Sequence, residues 1–263
     1  TFYDPCIGDG IAAVMRDNTK LVFCESPGSH TFEVQDIPAI AKVAHARGAK
    51  VAIDNTWATP LFCRPLDLGA DISIEAGTKY LSGHSDATMG AVTANADALP
   101  GIRKAVRALG YTLGPDEAYL TTRGLRTLAV RLARHQENAM KVALWLRTRA
   151  EVKRVLYPAL PDDPGHALWK RDFSGASGLL GVVLHRTSVA AVTAMIDGMS
   201  LFSLGFSWGG FESLIAPSSP QAIRALPWAE PEPGLRLHIG LEDPEDLIDD
   251  LARGFDRLAA TLS

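Results

Sequence analysis

Lys79 stands alone in a turn of small residues: Asp71-Ile72-Ser73-Ile74-Glu75-Ala76-Gly77-Thr78-Lys79-Tyr80-Leu81-Ser82-Gly83-His84-Ser85-Asp86. A short apolar alternation runs into glycines and hydroxyls, and no acid sits beside the lysine. Little side-chain bulk there would block a ligand. An amine so placed can serve as a Schiff-base nucleophile if burial or nearby cations hold its pKa low. A second stretch, Val51-Ala52-Ile53-Asp54-Asn55-Thr56-Trp57, ends a buried-looking strand on an acid. Ligand-facing residues of open α/β sheets occupy that position. The third feature is Arg236 in Leu235-Arg236-Leu237-His238-Ile239-Gly240, where strict alternation turns the guanidinium away from the leucines. Its fork suits an α-carboxylate.

An amine, an acid able to keep a heterocyclic nitrogen protonated, and a carboxylate clamp are what pyridoxal phosphate chemistry on an amino acid requires. Each residue also has a plainer reading. Asp54 could cap the next turn, and Arg236 could pair with Glu242 or Asp243 on the surface. Thr78 and Ser82 suit either a turn or a phosphate. His84 and His238 read as structural or supporting residues. Trp208 could belong to the core, although Ser207-Trp208-Gly209-Gly210 is a poor core segment. Its glycines would let backbone approach a ligand with the indole as a wall.

The bulk properties narrow the classes. The chain has 263 residues, 47% of them hydrophobic, and a formal charge of −4. That supports a sizeable core and two domains. Interspersed charges offer no basic stripe for nucleic acid and no polybasic tail for a membrane. No apolar run approaches the roughly 20 residues of a membrane span, and no signal peptide is visible. Cys6, Cys24 and Cys63 match no metal spacing, so no metal is expected, and their odd number suits a reducing compartment, with the cytoplasm as default. The abrupt start Thr1-Phe2-Tyr3-Asp4-Pro5 reads as the interior of a longer protein.

Elements must bring these residues together. A helix-like segment spans Ile7 to Met15. Lys20 to Cys24 reads as a strand ended by Glu25-Ser26-Pro27-Gly28. Asp36 caps a helix to Arg47, with Pro38 in its first turn and Gly48 as its stop. Lys50 to Ile53 is the next strand, and the short connections imply parallel pairing through a right-handed crossover. Another strand leads into the Lys79 turn. Gly90 to Ala94 is a further strand, and Leu99 to Leu109 a helix. No Gly-x-Gly-x-x-Gly or phosphate-loop motif is present. A long helical pattern fills Pro115 to Thr148, its stripe running Leu125, Leu128, Leu132, Gln136, Ala139, Val142, Ala143 and Leu146. Arg131, Arg134 and Lys141 face outward on that reading, and Gly124 predicts a bend. Beyond it come an edge strand at Val152 to Tyr157, a loop-rich stretch from Leu160 to Gly175, and a central strand at Gly178 to His185. A helix at Val189 to Met199, the Arg236 strand and a last helix from Pro244 complete the chain.

These motifs identify the chain as similar to the Cys/Met-metabolism family of pyridoxal phosphate enzymes. Thr78-Lys79-Tyr80-Leu81-Ser82-Gly83-His84-Ser85-Asp86 resembles the family's Schiff-base lysine motif. Asp54-Asn55-Thr56-Trp57 resembles the segment with the pyridine-nitrogen aspartate, and Ser207 to Leu214 the loop lining the substrate site. Arg236 to Asp243 resembles the segment whose arginine holds the substrate α-carboxylate. The likeness extends over essentially the whole chain. It implies an α/β fold of the aspartate-aminotransferase-like type (fold type I). Residues 1–125 would be the C-terminal part of the cofactor-binding large domain, with a mostly parallel sheet, and 126–263 an α+β substrate domain.

The resemblance also implies site roles. Pyridoxal 5'-phosphate would be bound covalently to Lys79 as an aldimine, with Asp54, Thr56 and Thr78 around it. Lys79 and Ser207 would be catalytic, and Arg236, Trp208 and Ser207 would bind substrate. Trp208 and the Leu-His-Ile-Gly-Leu-Glu-Asp continuation resemble the β-lyase branch, implying β-elimination of L-cystathionine to homocysteine, pyruvate and ammonia in methionine biosynthesis. The competing readings are a γ-lyase or γ-synthase of the same family, a non-catalytic chain that keeps the fold, and a binding module for a phosphorylated ligand. Family members are longer. The N-terminal third expected to be absent would hold a glycine-rich phosphate turn, a stacking tyrosine and a tyrosine–arginine pair reaching the neighbouring subunit. Ala76 stands where some wider-family members have serine. A homotetramer built from dimers is the family expectation.

Overall fold

The computed structural model describes residues 1–263. After a 3₁₀ segment at Gly8–Ala13, the first half runs β1 (Leu21–Glu25), α1 (Ile37–Ala46), β2 (Lys50–Asp54), the single turn α2 (Thr59–Phe62), β3 (Ile72–Ala76), β4 (Gly90–Ala94) and α3 (Leu99–Leu109). The signals at the start of α1 act as expected: Asp36 Oδ1 accepts the Ala39 N–H at 3.1 Å, and Pro38 occupies the first turn. Ile37, Ile40, Ala41 and Ala44 recur at helical spacing and bury against Val22, Val51 and Ile53.

β1, β2 and β3 pair in parallel in that order, and β4 closes the edge antiparallel to β3. The direction of β4 follows from its connection. A parallel return needs a crossover, whereas residues 77–89 form the lysine turn and lead straight back. The segment expected to be helical from Ile7 to Met15 is the shorter 3₁₀ piece Gly8–Ala13, whose two glycines, Gly8 and Gly10, favour a longer helix poorly.

The second half runs α4 (Pro115–Leu125), α5 (Leu128–Leu146), β5 (Val152–Leu156), α6 (His166–Asp172), β6 (Leu179–Leu184), α7 (Val189–Asp197), β7 (Ser203–Leu204), β8 (Leu214–Ser218), β9 (Gly234–His238) and α8 (Pro244–Leu262). The bend expected at Gly124 is a full break. A Cβ at Gly124 would lie 2.5 Å from the Leu81 carbonyl oxygen and 2.2 Å from that of Ser82. The helix end therefore rests on the lysine turn.

Two outward-facing residues of the expected long helix are confirmed: Arg134 and Lys141 both reach Glu137. Arg131 is not outward. It is buried, and Leu125 is the residue that faces solvent. α6 occupies part of the stretch read as loop. β7 and β8 were illegible because one is two residues long and the other carries Pro217.

The second sheet has the order β5-β6-β9-β8-β7, so β9, the Arg236 strand, lies at its middle and β5 at its edge as expected. The larger core joins both halves: Trp57 and Tyr80 from the first pack with Leu132, Leu180, Trp208 and Leu237 from the second. Trp57 Nε1 also donates to Leu179 O at 3.0 Å. That joint core fixes β9 and its loop against the ends of β2 and β3.

Candidate active site

Because β2 and β3 run parallel in register, with Asp54 opposite Ile74, their C-terminal ends reach the same edge of the sheet. Asp54 Oδ1 accepts the Thr56 N–H at 2.9 Å, which steadies the carboxylate and leaves its other oxygen open. The plain capping reading thus holds for one oxygen only. Thr56 is buried, and its Oγ1 accepts the Ala76 N–H at 2.8 Å, tying the two strand ends together.

The lysine turn is closed by its own backbone. Ser82 N–H donates to Gly77 O at 2.9 Å, and Gly83 N–H to Lys79 O at 2.8 Å. Thr78 Oγ1 receives the Met89 N–H at 3.0 Å and lies 3.2 Å from Met89 O. Its hydroxyl anchors the turn, so a phosphate could take the hydroxyl's proton only in exchange for the Met89 carbonyl. Arg131 lies beneath, donating through Nη2 to Tyr80 O at 3.0 Å and Gly124 O at 2.9 Å, and through Nε to Thr127 Oγ1 at 3.0 Å. Pattern reading missed it because an arginine on a mixed helix face ordinarily faces water. The signal was its closeness in sequence to the glycine break.

Above the turn, Lys79 Nζ donates to Ser207 Oγ at 2.8 Å and lies 5.2 Å from the centroid of the Trp208 ring. Burial lowers the pKa of the amine, and the charge of Arg236 lowers it further. The loop bearing Ser207 and Trp208 sits on the lysine's own backbone. Gly209 has φ +84°, and a Cβ there would fall 2.8 Å from the carbonyl carbon of Lys79. The glycine therefore serves a close approach to the lysine segment. Trp208 is both a wall and part of the core, 5.6 Å from the Tyr80 ring.

Arg236 is 7% exposed and has no carboxylate within ion-pair distance. The surface pairing that the sequence left open does not form. Glu242 takes the Ser213 N–H and hydroxyl at 2.7 and 2.8 Å, and Asp243 caps α8. Arg236 Nη2 donates instead to Phe206 O at 2.6 Å, and burial lowers its pKa. A buried guanidinium with no acid of its own is prepared for an incoming anion. Glu25 and His30 approach the same region. Burial raises the pKa of Glu25, whose Oε1 accepts the Ser29 N–H at 2.8 Å, while burial and then Arg236 lower that of His30. Glu25 ends β1 as Asp54 ends β2, a signal that the turn reading of its segment passed over. His84 is exposed, its ring bonded only to Ser82 O at 2.7 Å.

The residues fit pyridoxal phosphate by their chemistry: an amine of lowered pKa, a carboxylate with one open oxygen at the same sheet edge, and a clamp free of its own acid. A cavity of about 620 Å³ lies elsewhere, behind β1 among Tyr3, Ile11, Val22 and Phe23. It includes none of Lys79, Asp54 or Arg236 and is not the centre of this chemistry.

Comparison with known proteins agrees with this set. The model of the Cys/Met metabolism PLP-dependent enzyme family matches residues 1–256. A putative cystathionine beta-lyase of Rhizobium johnstonii is 51% identical over 98% of this chain and 66% of its own length. The cystathionine beta-lyase of Salmonella typhimurium is 48% identical over 98% of this chain and 67% of its own. Among solved structures, cystathionine gamma synthase from Xanthomonas oryzae pv. oryzae, in complex with cystathionine, aligns with a TM-score of 0.86 at 40% identity. That alignment covers 92% of this chain and 64% of that one. The chain thus spans about two thirds of the length of these relatives.

Proposed function

The chain belongs to the Cys/Met metabolism family of PLP-dependent enzymes, with the type I fold, and from that premise we propose a carbon–sulfur lyase. The reaction we assign to the intact protein is β-elimination of L-cystathionine: with one water consumed, it gives homocysteine, pyruvate and ammonia, a step of methionine biosynthesis. The observation that carries this reading is the Lys79 amine, 2.8 Å from Ser207 Oγ and under the Trp208 ring, beside a buried arginine with no carboxylate partner. The relatives named cystathionine beta-lyase support the choice of reaction.

Lys79 would hold the cofactor covalently until the substrate amine replaces it and frees Nζ, and Asp54, Thr56 and Thr78 would be its other protein contacts. Once bound, pyridoxal phosphate supplies an electron sink for the charge left at Cα when its proton is removed. Arg236 forks the substrate α-carboxylate and so fixes the direction of the Cα–H bond. Lys79 Nζ takes the Cα proton. Its lowered pKa keeps a larger share of the amine neutral than an exposed lysine would have at the same pH. Ser207 Oγ accepts from Nζ and keeps the lone pair aimed, while Trp208 excludes water from above. The proton then on Nζ is available to the departing homocysteine thiolate.

The division at residues 125/126 between cofactor and substrate domains is part of this reading, and it coincides with the break between α4 and α5. We also assign a homotetramer. Its support is the apolar surface of Leu109, Tyr111, Leu113, Tyr119 and Val130, all exposed, and α3, which buries no residue in this chain. No helix is long and apolar enough to cross a membrane. The free thiols of Cys6, Cys24 and Cys63 favour the cytoplasm.

The test is incubation of the intact protein with L-cystathionine, reading absorbance and the keto acid formed. Pyruvate, lost completely in Lys79→Ala, is the expected result; pyruvate release by Lys79→Ala sinks the assignment. The γ-synthase likeness favours one alternative within the family, and 2-oxobutyrate in place of pyruvate would establish the γ-cleaving reading. A protein that neither takes up cofactor nor releases a keto acid would be the non-catalytic reading.

A further inference from the structure

Ser207 and Trp208 act on Lys79 from a loop between β7 and β8, which no regular element spans. Something must hold that loop down. Arg236 and His238 are two apart on β9 and so project from the same face of the sheet. Arg236 Nη2 grips the near end of the loop at Phe206 O, 2.6 Å away. His238 Nε2 grips the far end, 3.1 Å from the Gly209 amide nitrogen and 3.1 Å from Gly210 O. The two residues between these grips are Ser207 and Trp208.

We infer that His238 is a positioning residue for the Lys79 chemistry, closing a two-point clamp with Arg236 that seats Ser207 and Trp208 on the lysine; the inference rests on the reaction proposed above. His238 is 1% exposed, and its ring is wedged against Tyr80 and His135 at centroid distances of 5.8 and 5.2 Å. His135 is itself fixed by Ile239 O, 2.8 Å from its Nδ1. The ring therefore has no freedom to follow the loop; the loop follows the ring.

Burial, reinforced by the charges of His135, Lys79 and Arg236, pushes the His238 pKa down to about 3, so the ring is neutral. A neutral ring has one donor and one acceptor nitrogen. As acceptor, Nε2 takes the Gly209 N–H; as donor, it serves Gly210 O. Either tautomer ties the glycine pair. Nδ1 is buried with no partner, so no other bond competes to orient the ring. Gly209 cannot be replaced as the seat of this contact, because its φ of +84° and the Lys79 backbone leave no room for a side chain.

The clamp is tested by amide hydrogen exchange of the segment 206–211 in the intact protein, with kcat and KM measured alongside. In the parent, Gly209 should be protected. His238→Phe keeps the ring volume without the nitrogens and should exchange this segment at least about fivefold faster relative to the amides of α8. It should lower kcat by about tenfold to a hundredfold, with a much smaller change in KM. His238→Gln, whose amide reaches the former position of Nε2, should recover most of both. Parent-like exchange and kcat in His238→Phe would overturn the clamp. So would a parent whose Gly209 amide exchanges at the rate of an open loop, a result that needs no variant to fold. Exchange reads the clamp whatever the substrate proves to be, so failure of the lyase reading is recognised separately, by the absence of keto acid.

Discussion

At the scale of single residues, environment decides which charged groups are available to chemistry. Arg236 and Arg131 are both buried guanidiniums without acid partners. Arg131 commits Nη2 to two backbone carbonyls and Nε to the Thr127 hydroxyl, whereas Arg236 commits only Nη2 and keeps the rest of its fork for an anion. Arg236→Gln should weaken engagement of a carboxylate substrate by roughly 2–5 kcal/mol. It should show as a raised KM with a smaller effect on kcat. A second consequence of burial concerns acid stability. His135 is fully buried, and burial lowers its pKa to about 4. The unfolded chain binds this proton near pH 6.5, well before the folded protein does. Stability is therefore lost as pH falls from about 6.5 towards 4, by on the order of 1–3 kcal/mol from this residue. His135→Asn, which keeps a donor near the position of Nδ1 for Ile239 O, should flatten that acid limb in denaturant titrations at successive pH values. An unchanged limb would remove His135 as its source.

At the scale of elements, the lysine turn is held less by its own sequence than by the helix break that abuts it. Gly124 lets α4 end against the Leu81 and Ser82 carbonyls, and Arg131 from α5 bridges Tyr80 O and Gly124 O. Carbonyls converging at a helix C-terminus repel one another, and a buried cation between them offsets that repulsion. Gly124→Ala forces backbone movement and should cost about 1–3 kcal/mol on denaturant unfolding. Arg131→Met takes the side-chain donor from Tyr80 O, while Gly124 O keeps the Thr127 N–H at 3.0 Å, and should cost on the order of 1–3 kcal/mol for the one carbonyl left unpaired. If both variants unfold like the parent, the turn is self-supporting. The break itself was visible in the sequence at Gly124. That the break serves the lysine was not, because the two segments meet only through the joint core.

At the scale of the whole molecule, the exposed apolar face of α3, α4 and the start of α5 is larger than scattered surface residues require. Leu109→Glu combined with Tyr119→Glu should shift the intact protein to a smaller assembly by sedimentation, leaving its far-ultraviolet dichroism unchanged. Persistence of the parent's assembly would mean that this face is not an interface. The residue types and short-range spacing determined much by themselves: the strand ends at Asp54 and Lys79, the Asp36 cap, the alternation that turns Arg236 from its neighbours, and the family motifs. All of these are periodicities or caps, carried by a few consecutive residues. Tertiary structure alone decided the inward turn of Arg131 onto Tyr80 O and the freedom of Arg236 from Glu242. It also decided the grip of His238 on Gly209. Each of these depends on a partner far away in sequence, and no local pattern encodes which carbonyl or amide a buried side chain will meet once the two sheets share a core.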